Sequence, residues 1–177
     1  DAALGPLLDA GVDGVVVPRV ESAADAERVV RRFRYPPDGT RGIAARRASG
    51  YGIPGDAPAP VCTVQIETSA ALAEAEAIAA VEGVTSLVVG CADLRAALGR
   101  DDIGPAIAAV RRAARRAGVG FGVAGPDDPE LLLELAGPGA DLLVLGADVR
   151  LYARALDGAF GRLSFPAPTR EEAHVGT

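Results

Sequence analysis

Residues 61–90 read VCTVQIETSAALAEAEAIAAVEGVTSLVVG, and the fold is decided here. The stretch opens on an apolar run that ends at Glu67 and closes on a second run that ends at Gly90. Between them Thr68 or Ser69 can cap an alanine-rich helix that continues to about Ala80. Strand, helix and strand in about 30 residues is the length of one βαβ unit. A helix between two strands is the crossover that parallel neighbours require. Both runs are nearly continuous in valine, leucine and isoleucine rather than alternating, which predicts parallel strands covered on both faces.

The same pattern extends in both directions. Short apolar runs ending in small or turn residues predict strands over 15–18, 61–67, 86–90, 119–124 and 142–146. Helical patterns separate them. Ser22 can cap a helix with Asp25 three residues on, which places Ala26, Val29, Val30 and Phe33 on one face. Ile103, Ile107, Val110, Ala114 and Ala117 form a second stripe, closed by Gly118. The arginines of that helix, Arg111, Arg112, Arg115 and Arg116, read as a solvated face near its negative end. Asp127 with Glu130 predicts a capped helix carrying Leu131, Leu132 and Leu135. Asp148 predicts the cap of a last one, whose buried side would be Leu151, Tyr152, Ala155, Leu156, Ala159 and Phe160.

Strands alternating with helices give a parallel α/β fold, either an open doubly wound sheet or a barrel. The chain opens in a helix over 2–10 with no strand before it. A TIM-type (β/α) barrel closes with eight strands over about 250 residues. Five strands in 177 residues therefore read as the last five of such a barrel, lacking its first three strand-helix units. The sequence has no methionine, which adds to the expectation of missing N-terminal sequence. The barrel domain is expected to span 1–163, and the aperiodic segment 164–177 reads as a disordered tail. One connection, 34–60, is far longer than the others and holds ten glycines or prolines. Loops of that length are functional, disordered or solvated surface.

Composition removes several function classes. A net charge of -6 lacks the basic footprint of a nucleic-acid or anionic-membrane binder. No apolar stretch approaches the roughly 18 residues of a membrane span. Two cysteines, Cys62 and Cys91, lack metal-knuckle spacing and are too few for a disulfide scaffold, which fits a reducing cytoplasm. Every basic residue is an arginine, so chemistry through a lysine Schiff base is excluded within this sequence. The sole histidine, His174, lies in the tail.

Two acids remain as candidates for chemistry. Side chains alternate along a strand, so Gln65 and Glu67 share a face. If that face is the barrel interior, Glu67 stands at the C-terminal mouth, where barrel enzymes keep their sites. Asp93 follows the end of the neighbouring run, after Gly90, Cys91 and Ala92. Two carboxylates at adjacent strand mouths suit a hard cation such as Mg²⁺ or Mn²⁺. Gly90 lets a ligand approach the backbone, and the amides of Ala92 and Asp93 could bind a carboxylate if they open a helix. The alternatives are that Glu67 is a solvated strand-end residue and that Asp93 merely caps the helix. Near the end, Gly146-Ala147-Asp148 has the position of a barrel phosphate site. Asp148 would repel phosphate there, and capping is the preferred reading.

The order RYPPDGTRG (34–42), VQIET (64–68), EGV (82–84), GCADL (90–94), ALG (97–99) and GADVRLYARAL (146–156) resembles the HpcH/HpaI aldolase family, and more weakly the citrate lyase β-subunit-like proteins. The likeness runs over about 2–163. It implies that Glu67 and Asp93 are metal ligands, that Gln65 belongs to the catalytic site, and that Gly90, Ala92 and Asp93 hold the oxo acid. It also implies a class II aldolase cleaving or forming carbon–carbon bonds of 4-hydroxy-2-oxo acids through a pyruvate enolate. Small 2-oxo acids and aldehydes would be its partners, and it would assemble as a homo-oligomer. A CoA-ester lyase with the same two acids, or a non-catalytic barrel remnant serving as an assembly module, are the other readings. Cys91 stands where the family carries proline and reads as a small buried residue. The family's catalytic histidine and substrate-binding arginine fall on strands ahead of Asp1, so neither role passes to a residue here.

Overall fold

The computed structural model describes residues 3–52 and 59–163. Its five strands are β1 (Gly14–Val17), β2 (Val61–Ile66), β3 (Ser86–Gly90), β4 (Gly120–Ala124) and β5 (Leu142–Val144). They pair in the order β1-β2-β3-β4-β5, each neighbour parallel to the next. Every apolar run named above became a strand. The helices are α1 (Leu4–Asp9), α2 (Ala23–Phe33), α3 (Ser69–Ala73), α4 (Ala75–Ala79), α5 (Cys91–Leu98), α6 (Gly104–Ala117), α7 (Pro129–Ala136) and α8 (Asp148–Phe160). Among the described residues no helix is long and apolar enough to cross a membrane.

Local signals explain most boundaries. Ser22 caps α2, its Oγ accepting the Asp25 N–H, and Thr68 caps α3 by accepting from Ala71. The alanine-rich segment is two short helices rather than one, because the backbone leaves helical geometry at Glu74 (φ -96°, ψ 5°). The cap of α7 is Asp128, not Asp127: its carboxylate accepts from the amides of Glu130 and Leu131. Gly118 ends α6 in the left-handed conformation, φ 71°. Of the four arginines on α6, Arg111 departs from the solvated reading. It is half-buried, lies over the Phe121 ring at 5.0 Å and donates to the Ala136 carbonyl at the end of α7.

The two faces of the sheet differ in kind. Cys62, Val64, Ile66, Leu87, Val89, Phe121 and Val123 join the α2, α4 and α6 side chains in one core. Each fully buried aliphatic side chain there contributes about 1.5–3 kcal/mol. Strand register sets Thr63, Gln65, Ser86, Val88, Gly90, Gly120, Gly122 and Ala124 on the opposite face. Thr63 Oγ1 and Ser86 Oγ share a hydrogen bond of 2.6 Å there. Coverage of both faces was expected, and along β3 both are buried; the helices pack one face, while the other carries the fully buried Val88 among small and polar residues. Burial is complete along β3, whereas β1 and β5 are half exposed.

Residues Asp1–Leu145 form one compact unit and Gly146–Thr177 a second. Within the second, α8 has no buried residue, so the buried side expected over 151–160 is exposed. A single helix has nothing of its own to bury an apolar stripe against. Its N-cap is Ala147 rather than Asp148, whose carboxylate instead accepts the Val149 N–H at 2.8 Å. The segment 164–177, read as a tail, lies outside the described residues, and His174 with it.

Half of the long connection is firmly held. The amides of Gly39, Thr40 and Arg41 donate to the carbonyls of Tyr35, Arg31 and Arg34, which curls residues 35–41 back on the end of α2. The Arg41 guanidinium is buried, donates to the Leu8 carbonyl at 2.7 Å, and lies 3.6 Å from Asp9 and 4.9 Å from the Tyr35 ring. An arginine fixed by a carbonyl, a carboxylate and an aromatic face joins this loop to α1.

Candidate active site

Glu67 is the first residue past β2 and is only 4% exposed. A carboxylate so buried must have donors on it, or its desolvation would be uncompensated. Both oxygens have one. Gln65 Nε2, two residues back on the same strand, donates to Oε2 at 2.5 Å. The backbone N–H of Arg19, just beyond the end of β1, donates to Oε1 at 2.9 Å. The solvated strand-end reading of Glu67 is thereby removed.

Parallel pairing then sets Gly90 beside this carboxylate. Ile66 is in register with Val89, so Gly90 falls level with Glu67. A Cβ on Gly90 would lie 2.6 Å from Gln65 Nε2 and 3.1 Å from the Glu67 Cβ. Any side chain there would push the amide off the carboxylate. Gly90 is also the N-cap of α5, which begins at once with Cys91. Asp93 is thus the third residue of the helix and does not cap it. It is exposed, at the same end of the sheet as Glu67. Ala92 is exposed beside it, and the first amides of a helix have no intrahelical acceptor.

The expected site residues Gln65, Glu67, Gly90, Ala92 and Asp93 therefore gather at the C-terminal ends of two paired strands. Glu67 and Asp93 supply hard oxygen donors. Among the described residues no group of three or more His, Cys, Asp or Glu could hold a metal ion. Two carboxylates still fit Mg²⁺ or Mn²⁺, since magnesium is commonly held by one or two carboxylates, with waters and substrate oxygens completing the shell.

Arg19 was not foreseen. Its contribution is a main-chain N–H, which no side-chain pattern reports, and its backbone is left-handed at φ 60°, uncommon for a residue with a Cβ. A larger hollow of about 450 Å³ lies against α2 and α4, bordered by Val30, Arg31, Arg34, Ala77 and Ala80. None of the gathered residues borders it, so it belongs to the helix layer rather than to this site.

Both cysteines are buried in the core. Burial pushes the Cys62 thiol up to about 12, and burial raises Cys91 as well, with Arg95 acting weakly against it. A thiol so raised is protonated and unreactive at neutral pH. Iodoacetamide at pH 8 should leave both unmodified in the native chain and label both in denaturant, as read by intact mass. Rapid native labelling of Cys91 would contradict its place in the core.

The comparisons with known proteins point to one family. The family described as HpcH/HpaI aldolase/citrate lyase matches residues 1–155. A protein of Rhodococcus jostii named 4-hydroxy-2-oxovalerate aldolase is 36% identical over 89% of the chain and 66% of its own length. One of Pseudomonas aeruginosa named hydroxypyruvate/pyruvate aldolase is 37% identical over 94% of the chain and 67% of its own. The crystal structure of a family protein from Burkholderia cenocepacia superposes with a TM-score of 0.79 at 34% identity, over 89% of the chain and 67% of that chain. The chain spans about two thirds of the length of these relatives.

Proposed function

Because the chain belongs to the HpcH/HpaI aldolase/citrate lyase family, we propose that it serves a class II aldolase, cleaving or forming carbon–carbon bonds of 4-hydroxy-2-oxo acids with pyruvate as the donor half. The observation that carries this reading is the buried Glu67 carboxylate at a strand mouth, oriented from two sides and bordered by Gly90. Glu67 and Asp93 would hold a divalent cation, Mg²⁺ or Mn²⁺. When bound, such a cation supplies Lewis-acid stabilisation of the negative charge that develops on the ketone oxygen.

The chain's own residues would position the carboxylate and the oxo acid. Gln65 and the Arg19 amide fix the Glu67 carboxylate before substrate arrives, leaving it no reorganisation to make during the reaction. Gly90 leaves the Gln65 amide its place on the Glu67 carboxylate, and its backbone borders the 2-oxo acid. The amides of Ala92 and Asp93 face outward from the first turn of α5, where the helix end favours an anion, and they bind the carboxylate of the oxo acid. The lack of lysine agrees with charge stabilisation rather than imine formation. Partners of this reading are a small 2-oxo acid, an aldehyde and further copies of the chain in a homo-oligomer, working in the cytoplasm.

Chelation tests the reading. Cleavage activity should vanish with EDTA and return with Mg²⁺ or Mn²⁺, while borohydride added with substrate should leave it unchanged. Full activity after thorough metal removal would overturn the class II assignment. Cleavage of a CoA thioester in preference to a 4-hydroxy-2-oxo acid would replace it with the CoA-ester lyase.

A further inference from the structure

Val88 stands apart from the other buried apolar side chains. Among the described residues each of the others joins the helix-side core, whereas Val88, with none of its surface exposed, does not. Register accounts for the difference. Val88 pairs with Gln65 on one flank and Gly122 on the other, so it projects from the inner face of the sheet at the level of Gln65. The inner faces of β2 and β3 match level by level. Thr63 pairs with Ser86 and Gln65 with Val88, and one step past Ile66 and Val89 come Glu67 and Gly90.

Gln65 thus has polar groups one level away in both directions, a step of two residues or about 6.6 Å. Above it is the Glu67 carboxylate. Below it are the hydroxyls of Thr63 and Ser86, whose shared bond of 2.6 Å leaves each with hydrogen-bonding capacity to spare. The carboxamide goes up. A Cβ on Gly90 would lie 2.6 Å from Gln65 Nε2 and 3.2 Å from its Cδ, so the amide crosses from β2 and lies over Gly90, where it donates to Glu67 Oε2 at 2.5 Å. Gly90 supplies the space, but an open space does not confine a long side chain. The level at which Gln65 starts has to be closed as well. Gln65 has Pro18, one residue past β1, on one side and Val88 on the other. Its carboxamide leans toward β3, so Val88 is the wall on that side. A β-branched side chain is stiff at χ1 and does not fold out of the way.

We propose that Val88 is a positioning residue: it closes the inner face beside Gln65 and so keeps the Gln65 carboxamide above Gly90, on the Glu67 carboxylate. Shortening it to alanine opens a hollow at that level, into which the carboxamide turns, toward the hydroxyls of Thr63 and Ser86. Glu67 then keeps only the Arg19 amide. The consequence for a bound cation rests on the aldolase reading; the placement of Gln65 does not.

Nuclear magnetic resonance of the full, metal-free chain reads this placement directly. In the wild type the Gln65 side-chain amide, assigned by its loss in Gln65→Met, should show one proton shifted downfield by the carboxylate. The Val88 methyl groups should give Overhauser contacts to it. Val88→Ala should return that proton to the position of a solvated glutamine amide, and Val88→Ile, which keeps the branch, should leave it downfield. Val89→Ala is the structural control, because Val89 is equally buried on the same strand but belongs to the helix-side core. It should lower the melting temperature as Val88→Ala does without moving the Gln65 resonance. Mn²⁺ affinity, followed by electron paramagnetic resonance, should fall about tenfold in Val88→Ala, as for other losses of outer-shell support, and stay near the wild-type value in Val88→Ile and Val89→Ala. An unmoved Gln65 resonance in Val88→Ala overturns the inference, as does an equal displacement by Val89→Ala. Absence of the Overhauser contact in the wild type overturns it too, and that measurement needs no variant to fold. A wild type that binds no Mn²⁺ but shows the expected resonances supports the placement and overturns the cation reading.

Discussion

Glu67→Gln should lower kcat/KM for aldol cleavage by about a hundredfold or more while leaving the fold intact. The substitution keeps the side chain's volume in a position that is 4% exposed, so packing survives. The hydrogen bonding must rearrange. Both carboxylate oxygens accept, from Gln65 Nε2 and from the Arg19 amide. An amide offers one oxygen and one NH₂, so Gln65 has to turn its own amide and present oxygen, or donor would face donor. The change also removes the buried negative charge proposed to hold the cation. Loss of outer-shell partners of metal ligands typically costs 10–100-fold, and removal of the ligand itself should reach at least the upper end. Steady-state kinetics give the fold-change, and Mn²⁺ titration followed by electron paramagnetic resonance separates causes. Unchanged Mn²⁺ affinity with unchanged kinetics would remove Glu67 from the site altogether.

The second large effect falls far from the chemistry. Gly39→Ala should destabilise the fold by about 3 kcal/mol, a fall in Tm of roughly 6–12 °C. A Cβ at this position would lie 2.0 Å from the Arg34 carbonyl and 2.5 Å from that of Arg31. Those oxygens cannot move aside freely, because they accept the amides of Arg41 and Thr40. Displacing them lifts Arg41 from the Leu8 carbonyl and Asp9. A buried guanidinium separated from its partners is costly. Gly42, in the same loop, has nothing within 4 Å of its would-be Cβ, and Gly42→Ala should stay within about 0.5 kcal/mol. Thermal melts of the pair check the contrast; equal Tm values would mean that the curled segment yields without loss.

Much of this architecture is readable in the residues because it rests on short-range patterns. An uninterrupted run such as Ser86-Leu87-Val88-Val89-Gly90 has few options other than a buried parallel strand, and β3 is buried along its whole length. Ser22 and Thr68 announce their helices because their hydroxyls act within three residues. Asp127 and Asp128 are adjacent and chemically alike, so sequence alone could not tell which one caps α7. The break at Glu74 and the exposure of α8 depend on what surrounds each helix, which periodicity does not encode. At the site, alternation along β2 puts Gln65 and Glu67 on one face, and parallel register brings Gly90 level with them. The Arg19 amide was invisible for a physical reason: every residue but proline has that donor, and only the path of the chain aims it. Arg41 was likewise one arginine among many until the loop enclosed it.

The hydrogen bond from Arg19 to Glu67 divides one residue between two kinds of heredity. Its amide belongs to the backbone and is preserved by any non-proline codon that tolerates the turn, whereas its guanidinium belongs to that codon alone. Mutation at position 19 can therefore change the side chain while the carboxylate keeps its donor. Of those replacements, glycine is the one the left-handed backbone at this position accommodates most readily.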